Sequence, residues 1–158
     1  MKNTQENSKE NDTTLGLVAM IKDWSTVFGA PIKETEGFPE VDRMRLAMDL
    51  IDEEFMETVM AIDQKNFAEV KDGLGDLLWV VVRAMMEFGV DPETTIREIY
   101  RSNMSKADYT EEDALKTRGK YKEQGIDTYM RIRKDIYITY NAATGKILKS
   151  HNFIAPKL

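Results

Sequence analysis

The amino-acid sequence predicts an all-α protein, a helical bundle of about five helices that assembles as an oligomer and carries a small C-terminal β-hairpin. Apolar residues recur at helical spacing in successive segments that end at glycine or proline. The third segment is apolar nearly all round from Leu77 to Met86, and such a helix has to be covered on every side. The spacing changes from helical to alternating only after Gly125, where we expect the hairpin.

Composition sets the class of protein. The chain has 158 residues, 42% of them hydrophobic, a formal net charge of −6 and no cysteine. The lack of cysteine excludes disulfides, thiolate metal sites and a cysteine nucleophile. The longest apolar run, Leu77 to Val82, is far shorter than the roughly 20 residues that cross a bilayer. We therefore expect a cytoplasmic protein without a membrane segment, and the negative charge disfavours binding to a nucleic-acid polymer.

Three segments divide the chain in this prediction. Residues 1–14 lack large apolar side chains beyond Met1 and are predicted to be a disordered tail. Residues 15–128 form the helical domain, and residues 129–158 form the β-hairpin and a C-terminal arm.

Helix boundaries follow from local signals. The first predicted helix begins at Leu15 and ends before Gly29, and residues 31–39 form a loop. The second runs from about residue 40 to 63 and the third from about 67 to 88, with Gly89 at the left-handed position that follows many helices.

The later elements have clearer capping signals. Asp91-Pro92 is typical of a helix start, and this fourth helix extends to Met104. Thr110 opens a fifth helix that runs through Lys122. Alternating apolar residues from 130 to 140, followed by a turn at 141–145 before a second apolar segment, predict the hairpin.

Charge is distributed unevenly along the chain. From Glu34 to Asp76 there are 13 acidic and 4 basic residues, whereas from Arg97 to Leu158 there are 13 basic and 8 acidic residues. An anionic middle and a cationic C-terminal third are suited to metal cations and to a polyanion respectively, although two solvated faces are the simpler alternative.

Two acidic stripes are the strongest functional signal. Each lies at spacings of three and four residues on one helix; they comprise Glu53, Glu54 and Glu57 on the second helix and Glu69, Asp72 and Asp76 on the third. The short connection between these helices makes them antiparallel neighbours, so the stripes can face each other. Oxygen ligands without histidine or cysteine favour Mg²⁺ or Mn²⁺. A solvated acidic face remains the alternative.

The same residues resemble a known family. The string from Glu53 to Glu57, followed after eleven residues by Glu69-Val70-Lys71-Asp72, is similar to the EExxE…ExxD signature of the all-α nucleoside triphosphate pyrophosphohydrolases. This superfamily includes MazG, dimeric dUTPase and phosphoribosyl-ATP pyrophosphohydrolase. The segments 72–78, 101–106 and 145–156 resemble later parts of the same family, the last of them in the phosphoribosyl-ATP-pyrophosphohydrolase-like branch of bacteria and phages.

The resemblance implies roles for individual residues. By this resemblance, four carboxylates would bind Mg²⁺ directly: Glu54, Glu57, Glu69 and Asp72. Asp76 would hold a water molecule of the ion. Glu53, the candidate catalytic residue, would either support the metal ligands without touching the ion or orient the attacking water in a site with several metal ions. Asn103 and Lys106 would contact the phosphates or the sugar of the substrate.

Lys146 and Lys149 flank a strand of the predicted hairpin and are further candidates for phosphate contact, a solvated hairpin face being the alternative.

The resemblance thus implies Mg²⁺-dependent hydrolysis of a nucleoside triphosphate, or a related nucleotide, to the monophosphate and pyrophosphate, a house-cleaning reaction of the nucleotide pool. The helical domain would be catalytic, and the protein would be a homodimer or homotetramer with a small-molecule nucleotide substrate. The alternative is a non-catalytic acidic helical interaction module, in which the stripes are solvated and the third helix is a docking face.

Overall fold

A computed structural model of the protein describes residues 16–158. The predicted tail at residues 1–14 and the predicted helix start at Leu15 lie outside the described residues. Five helices and two strands are present in the order α1 Leu17–Phe28, α2 Val41–Asp63, α3 Phe67–Glu87, α4 Pro92–Met104, α5 Glu111–Glu123, β1 Thr128–Arg133 and β2 Ile136–Asn141. The predicted class, a mainly helical chain with a small C-terminal hairpin, is confirmed. None of the helices within residues 16–158 is long and apolar enough to cross a membrane.

Contacts divide the chain into two compact units, one that ends at Pro92 and one from Glu93 to Leu158. The first contains α1, α2 and α3, and the second contains the body of α4, α5 and the hairpin. The predicted division between a helical domain and a C-terminal arm at residue 128 stays a prediction.

In the first unit, α2 packs along α3. Only residues 64–66 connect the two helices, which makes them antiparallel neighbours. Lys65 turns the chain with a positive φ of 55°, and the Asn66 side chain then accepts a hydrogen bond from the Glu69 backbone N–H at the start of α3. Asn66 is thus an N-cap of the kind that stabilises helix starts.

The core of this unit lies where α1 meets α3. Ile21, Val82 and Met86 are buried together. At the end of α3 the buried carboxylate of Glu87, 4% exposed, accepts hydrogen bonds from Arg43 at 2.6 Å and from Arg83 at 3.1 Å. A buried charge needs such partners, since an unpaired one would cost several kcal/mol, of order 3–5.

In the second unit, β1 and β2 form an antiparallel pair in which Arg133 is opposite Ile136. The turn is formed by Lys134 and Asp135, both with positive φ, at 51° and 60°. The predicted turn at residues 141–145 is present after β2, where it brings Ile147 into an antiparallel bridge with Tyr140, and the Leu148 backbone N–H donates a hydrogen bond of 2.9 Å to the Thr139 carbonyl. The turn between β1 and β2 was not predicted. Two left-handed residues without asparagine or glycine do not give the usual signal of a two-residue turn.

The C-terminal arm is held by Glu98 of α4. Its carboxylate accepts hydrogen bonds from Arg101 at 2.6 Å and from the backbone N–H of Lys157 at 2.6 Å. The hydrogen bond from the Arg101 guanidinium, with that of Lys157, lowers the pKa of Glu98 to about 2.

Candidate functional site

The acidic residues of α2 and α3 are placed by a close approach of the two helices. A Cβ atom on Gly73 would lie 2.5 Å from Thr58 Oγ1 and 3.3 Å from Thr58 Cα, so only glycine fits there. The Thr58 hydroxyl donates a hydrogen bond of 2.8 Å to the backbone carbonyl of Glu54. Thr58 follows Glu57 and Gly73 follows Asp72, so this contact sets the two acidic stripes side by side.

The close approach of the two helices affects the pKa of Glu54. Its side chain is half-buried, and burial is the first cause that raises its pKa. The further causes are the negative charges of four other carboxylates, those of Asp76, Glu57, Glu53 and Asp72. Carboxylates from both helices therefore act on one point.

Glu69 is placed differently from these five. It lies exposed in the first turn of α3, and it is not among the charges that raise the pKa of Glu54.

The possible metal ligands in the two acidic stripes are all carboxylates. In residues 16–158 no group of three or more histidine or acidic side chains stands close enough together to hold a metal ion. The chemistry of the donors nevertheless fits a hard divalent cation, because all of them are carboxylate oxygens. The repulsion that raises the pKa of Glu54 is the interaction that a cation between these residues would relieve.

The predicted substrate residues lie in the second unit. Lys106, just beyond α4, donates a hydrogen bond of 2.6 Å from Nζ to Asn103 Oδ1. Both residues line a cavity of about 620 Å³, together with Arg133 and Lys134 of the hairpin.

Lys146 and Lys149 are not part of this cavity's lining. Lys146 is exposed after the turn that follows β2, and the Lys149 ammonium lies 4.3 Å from the centre of the Phe153 ring. Their proposed contact with phosphate stays a prediction.

Comparison with known proteins identifies the family. The model of the phosphoribosyl-ATP pyrophosphohydrolase family matches residues 21–103, which is more than half of the chain. The protein belongs to this family. The family is part of the MazG-like all-α NTP pyrophosphohydrolase superfamily, so the resemblance of the acidic stripes is confirmed at the level of the family.

One relative of this family member is viral. The chain is 30% identical over 128 residues to the uncharacterized protein L479 of Acanthamoeba polyphaga mimivirus, an alignment that covers 77% of this chain and 50% of that protein. The chain thus spans about half the length of this relative.

The family match contains all six acidic residues and ends at Asn103. Lys106 and the whole hairpin lie beyond it. Sequence reasoning missed Arg133 and Lys134 as cavity residues, although two consecutive cations at the end of an alternating apolar strand were a usable signal.

Proposed function

We propose that the protein hydrolyses a nucleoside triphosphate, or a related nucleotide, to the nucleoside monophosphate and pyrophosphate in a reaction that depends on Mg²⁺ or Mn²⁺. The observation that supports the proposal is the raised pKa of Glu54, which results first from burial and then from the negative charges of carboxylates on both α2 and α3. Membership of the phosphoribosyl-ATP pyrophosphohydrolase family supports the reaction class. The biological role would be house-cleaning of the nucleotide pool in the cytoplasm.

Five carboxylates would hold the cation. Glu54, Glu57, Glu69 and Asp72 would bind it directly, and Asp76 would bind one of its waters. When bound, Mg²⁺ neutralises charge on phosphate oxygens and activates a water molecule. All of these side chains except that of Glu54 are exposed, so they can change rotamer on a timescale of nanoseconds or less to reach a common cation.

No nucleophile from the protein is required. A water molecule forms the new bond to phosphorus while the anhydride bond breaks, and pyrophosphate leaves. Glu53 would accept a hydrogen bond from this water and take its proton. In the second unit, Asn103 and Lys106 would contact the phosphates or the sugar, Lys106 as a localised positive charge.

The test is pyrophosphate release over a panel of canonical and modified triphosphates, with Mg²⁺ and with EDTA. We expect Glu57→Gln and Asp72→Asn to reduce turnover by about 100-fold or more while the protein stays folded, because each loses a proposed ligand. Asp49→Asn removes an exposed acid of α2 that does not act on Glu54 and is the matched control.

Wild-type turnover in both variants would contradict the metal site. The main alternative is a non-catalytic acidic interaction module. Thermal unfolding with and without Mg²⁺ distinguishes this module from a protein with a metal site. A metal site gains stability with cation concentration by mass action, whereas a solvated acidic face responds only to ionic strength.

We also propose that the chain self-associates, as a homodimer or homotetramer, through α3. Leu74, Leu78 and Val81 lie on one side of this helix at spacings of four and three residues and are 54%, 49% and 36% exposed. Apolar side chains in such a row are typical of an interface.

A further inference from the structure

The cavity of the second unit has an apolar floor made by the hairpin. Ile136 and Ile138 line it, and because they are two residues apart on β2 they project from the same face of the strand. Ile147, next to β2 through its bridge to Tyr140, extends this surface. These three isoleucines give the cavity an apolar surface.

The charged residues of this cavity are all cations. Lys106, Arg133 and Lys134 line it, and none of the described residues in the lining is acidic. Lys106 is oriented by its hydrogen bond to Asn103. The complementary ligand therefore has an anionic part and an apolar part.

The two walls of the cavity are held together by backbone hydrogen bonds. Asp108, two residues after Lys106, donates to and accepts from Tyr137 of β2, with both hydrogen bonds at 2.9 Å. The segment that carries Lys106 and the strand that carries the isoleucines are therefore fixed relative to each other. A preformed cavity lowers the entropic cost of binding.

The turn between β1 and β2 places a lysine in a left-handed backbone conformation. Lys134 has a φ of 51°, a left-handed conformation in which asparagine or glycine is less strained than lysine. Hairpin stability alone would thus favour another residue at this position. Lys134 lines the cavity, where its positive charge can contact an anion.

We propose that this cavity binds a nucleotide, with its phosphates on Lys106, Arg133 and Lys134 and its base on the isoleucine floor. Its volume of about 620 Å³ lies within the range of small-molecule sites, roughly 300–1,000 Å³. The hairpin lies outside the family match at residues 21–103, so family membership does not assign this site. The lining of the cavity favours a ligand that is anionic at one part and apolar at another. That this ligand is a nucleotide rests on the proposed function.

The test is calorimetric titration of the protein in EDTA with the α,β-methylene analogues of the four ribonucleoside triphosphates, which resist hydrolysis at that bond. Arg133→Gln and Lys134→Asn should each weaken binding about fivefold, because each removes one exposed cation. Lys122→Gln removes an exposed cation of α5 that does not line the cavity, and it should bind as the wild type does.

Lys134→Asn also separates binding from folding. Asparagine tolerates the left-handed conformation better than lysine, so the melting temperature of this variant should equal or exceed that of the wild type. Weaker binding with undiminished stability supports the site. Unchanged binding in both Arg133→Gln and Lys134→Asn overturns it, as does the failure of every analogue to bind.

Further probes test the two halves of the ligand. Inorganic triphosphate and the free nucleosides should each bind more weakly than the intact analogues. Equal binding of inorganic triphosphate would overturn the role of the isoleucine floor. Tighter binding of an oligothymidylate of twelve nucleotides, lost in Arg133→Gln, would overturn the proposal in favour of a single-stranded nucleic acid.

Failure of the nucleotide site and failure of the proposed hydrolysis give different results. Titration in EDTA does not require hydrolysis, so cavity-dependent binding in a protein that releases no pyrophosphate would support the site and contradict the activity. Pyrophosphate release by a protein that binds the analogues equally well in the wild type, Arg133→Gln and Lys134→Asn forms would support the activity and contradict the site.

Discussion

At the scale of single residues, Glu54 is the carboxylate whose pKa is raised by burial and by four other acids of the two stripes. It is half-buried, whereas the acids that act on it are exposed. Burial and like charges both oppose its ionised form, so its pKa is raised from the ordinary value. This environment supports the proposal that the acidic stripes form a functional site.

The first prediction at this scale concerns Glu54→Gln in EDTA. A raised pKa in the folded state means that the ionised carboxylate destabilises the fold at neutral pH and that this penalty is relieved as the pH falls through the folded-state pKa. We therefore expect Glu54→Gln to raise the free energy of unfolding at pH 7 by a few tenths of a kcal/mol for each repulsive pair removed. Urea denaturation in EDTA measures it.

The gain should vanish under two conditions. At pH values below the ordinary glutamate pKa the carboxyl group of Glu54 is neutral in both the folded and the unfolded wild type, so the two proteins should unfold alike. With saturating Mg²⁺ the wild type should be the more stable, because it keeps the proposed ligand. A lower stability of Glu54→Gln in EDTA at pH 7 would show that the carboxylate has a favourable partner instead.

At the scale of secondary-structure elements, the α2–α3 pair depends on one close contact. Gly73 is the point at which α3 meets Thr58, and the acidic residues before and after it are placed by that contact. Gly75, two residues later on the same helix, has open space where a Cβ would be. The two glycines thus differ in packing but not in helical context.

We predict opposite effects of alanine at these positions. Gly73→Ala should destabilise the protein by about 1–3 kcal/mol, because the new methyl group would overlap Thr58 and push the helices apart. Gly75→Ala should stabilise it by about 0.5–1 kcal/mol through helix propensity. Chemical denaturation measures both, and pyrophosphate release should fall in Gly73→Ala alone. Equal stability of the two variants would rule out the close packing.

At the scale of the whole molecule, the proposed assembly explains why α3 carries more apolar surface than one chain covers. Val82 and Met86 are buried against α1, but Leu78 and Val81 on the same helix are exposed. A second copy of the chain would cover them, in an interface of shared apolar core.

Val81→Asp should therefore convert the oligomer to a monomer, since a charge in an apolar interface is desolvated without a partner. Activity should fall with it, because the proposed metal ligands Asp72 and Asp76 lie on the same helix. Sedimentation at micromolar concentration checks the first point. Gln64→Asp, which adds the same charge at an exposed polar position, should remain oligomeric. A wild-type chain that sediments as a monomer would refute the proposal.

Local sequence patterns determined most of the elements of this protein. Helical spacing and end signals such as Thr110 and Gly89 predicted five helices to within a few residues, because these signals act over one or two turns. The spacing of the acids likewise determined which carboxylates share a face of α2 and which share a face of α3.

Only the tertiary structure decided what lies opposite those faces. The raised pKa of Glu54 results first from burial and then from Asp76, 22 residues away in sequence, and the cationic cavity joins Lys106 to Arg133 of a hairpin whose turn has no glycine. The buried Glu87 depends in the same way on Arg43 from another helix. Periodicity describes one element at a time, whereas burial and electrostatic interactions depend on which elements meet, and that is determined by packing across the chain.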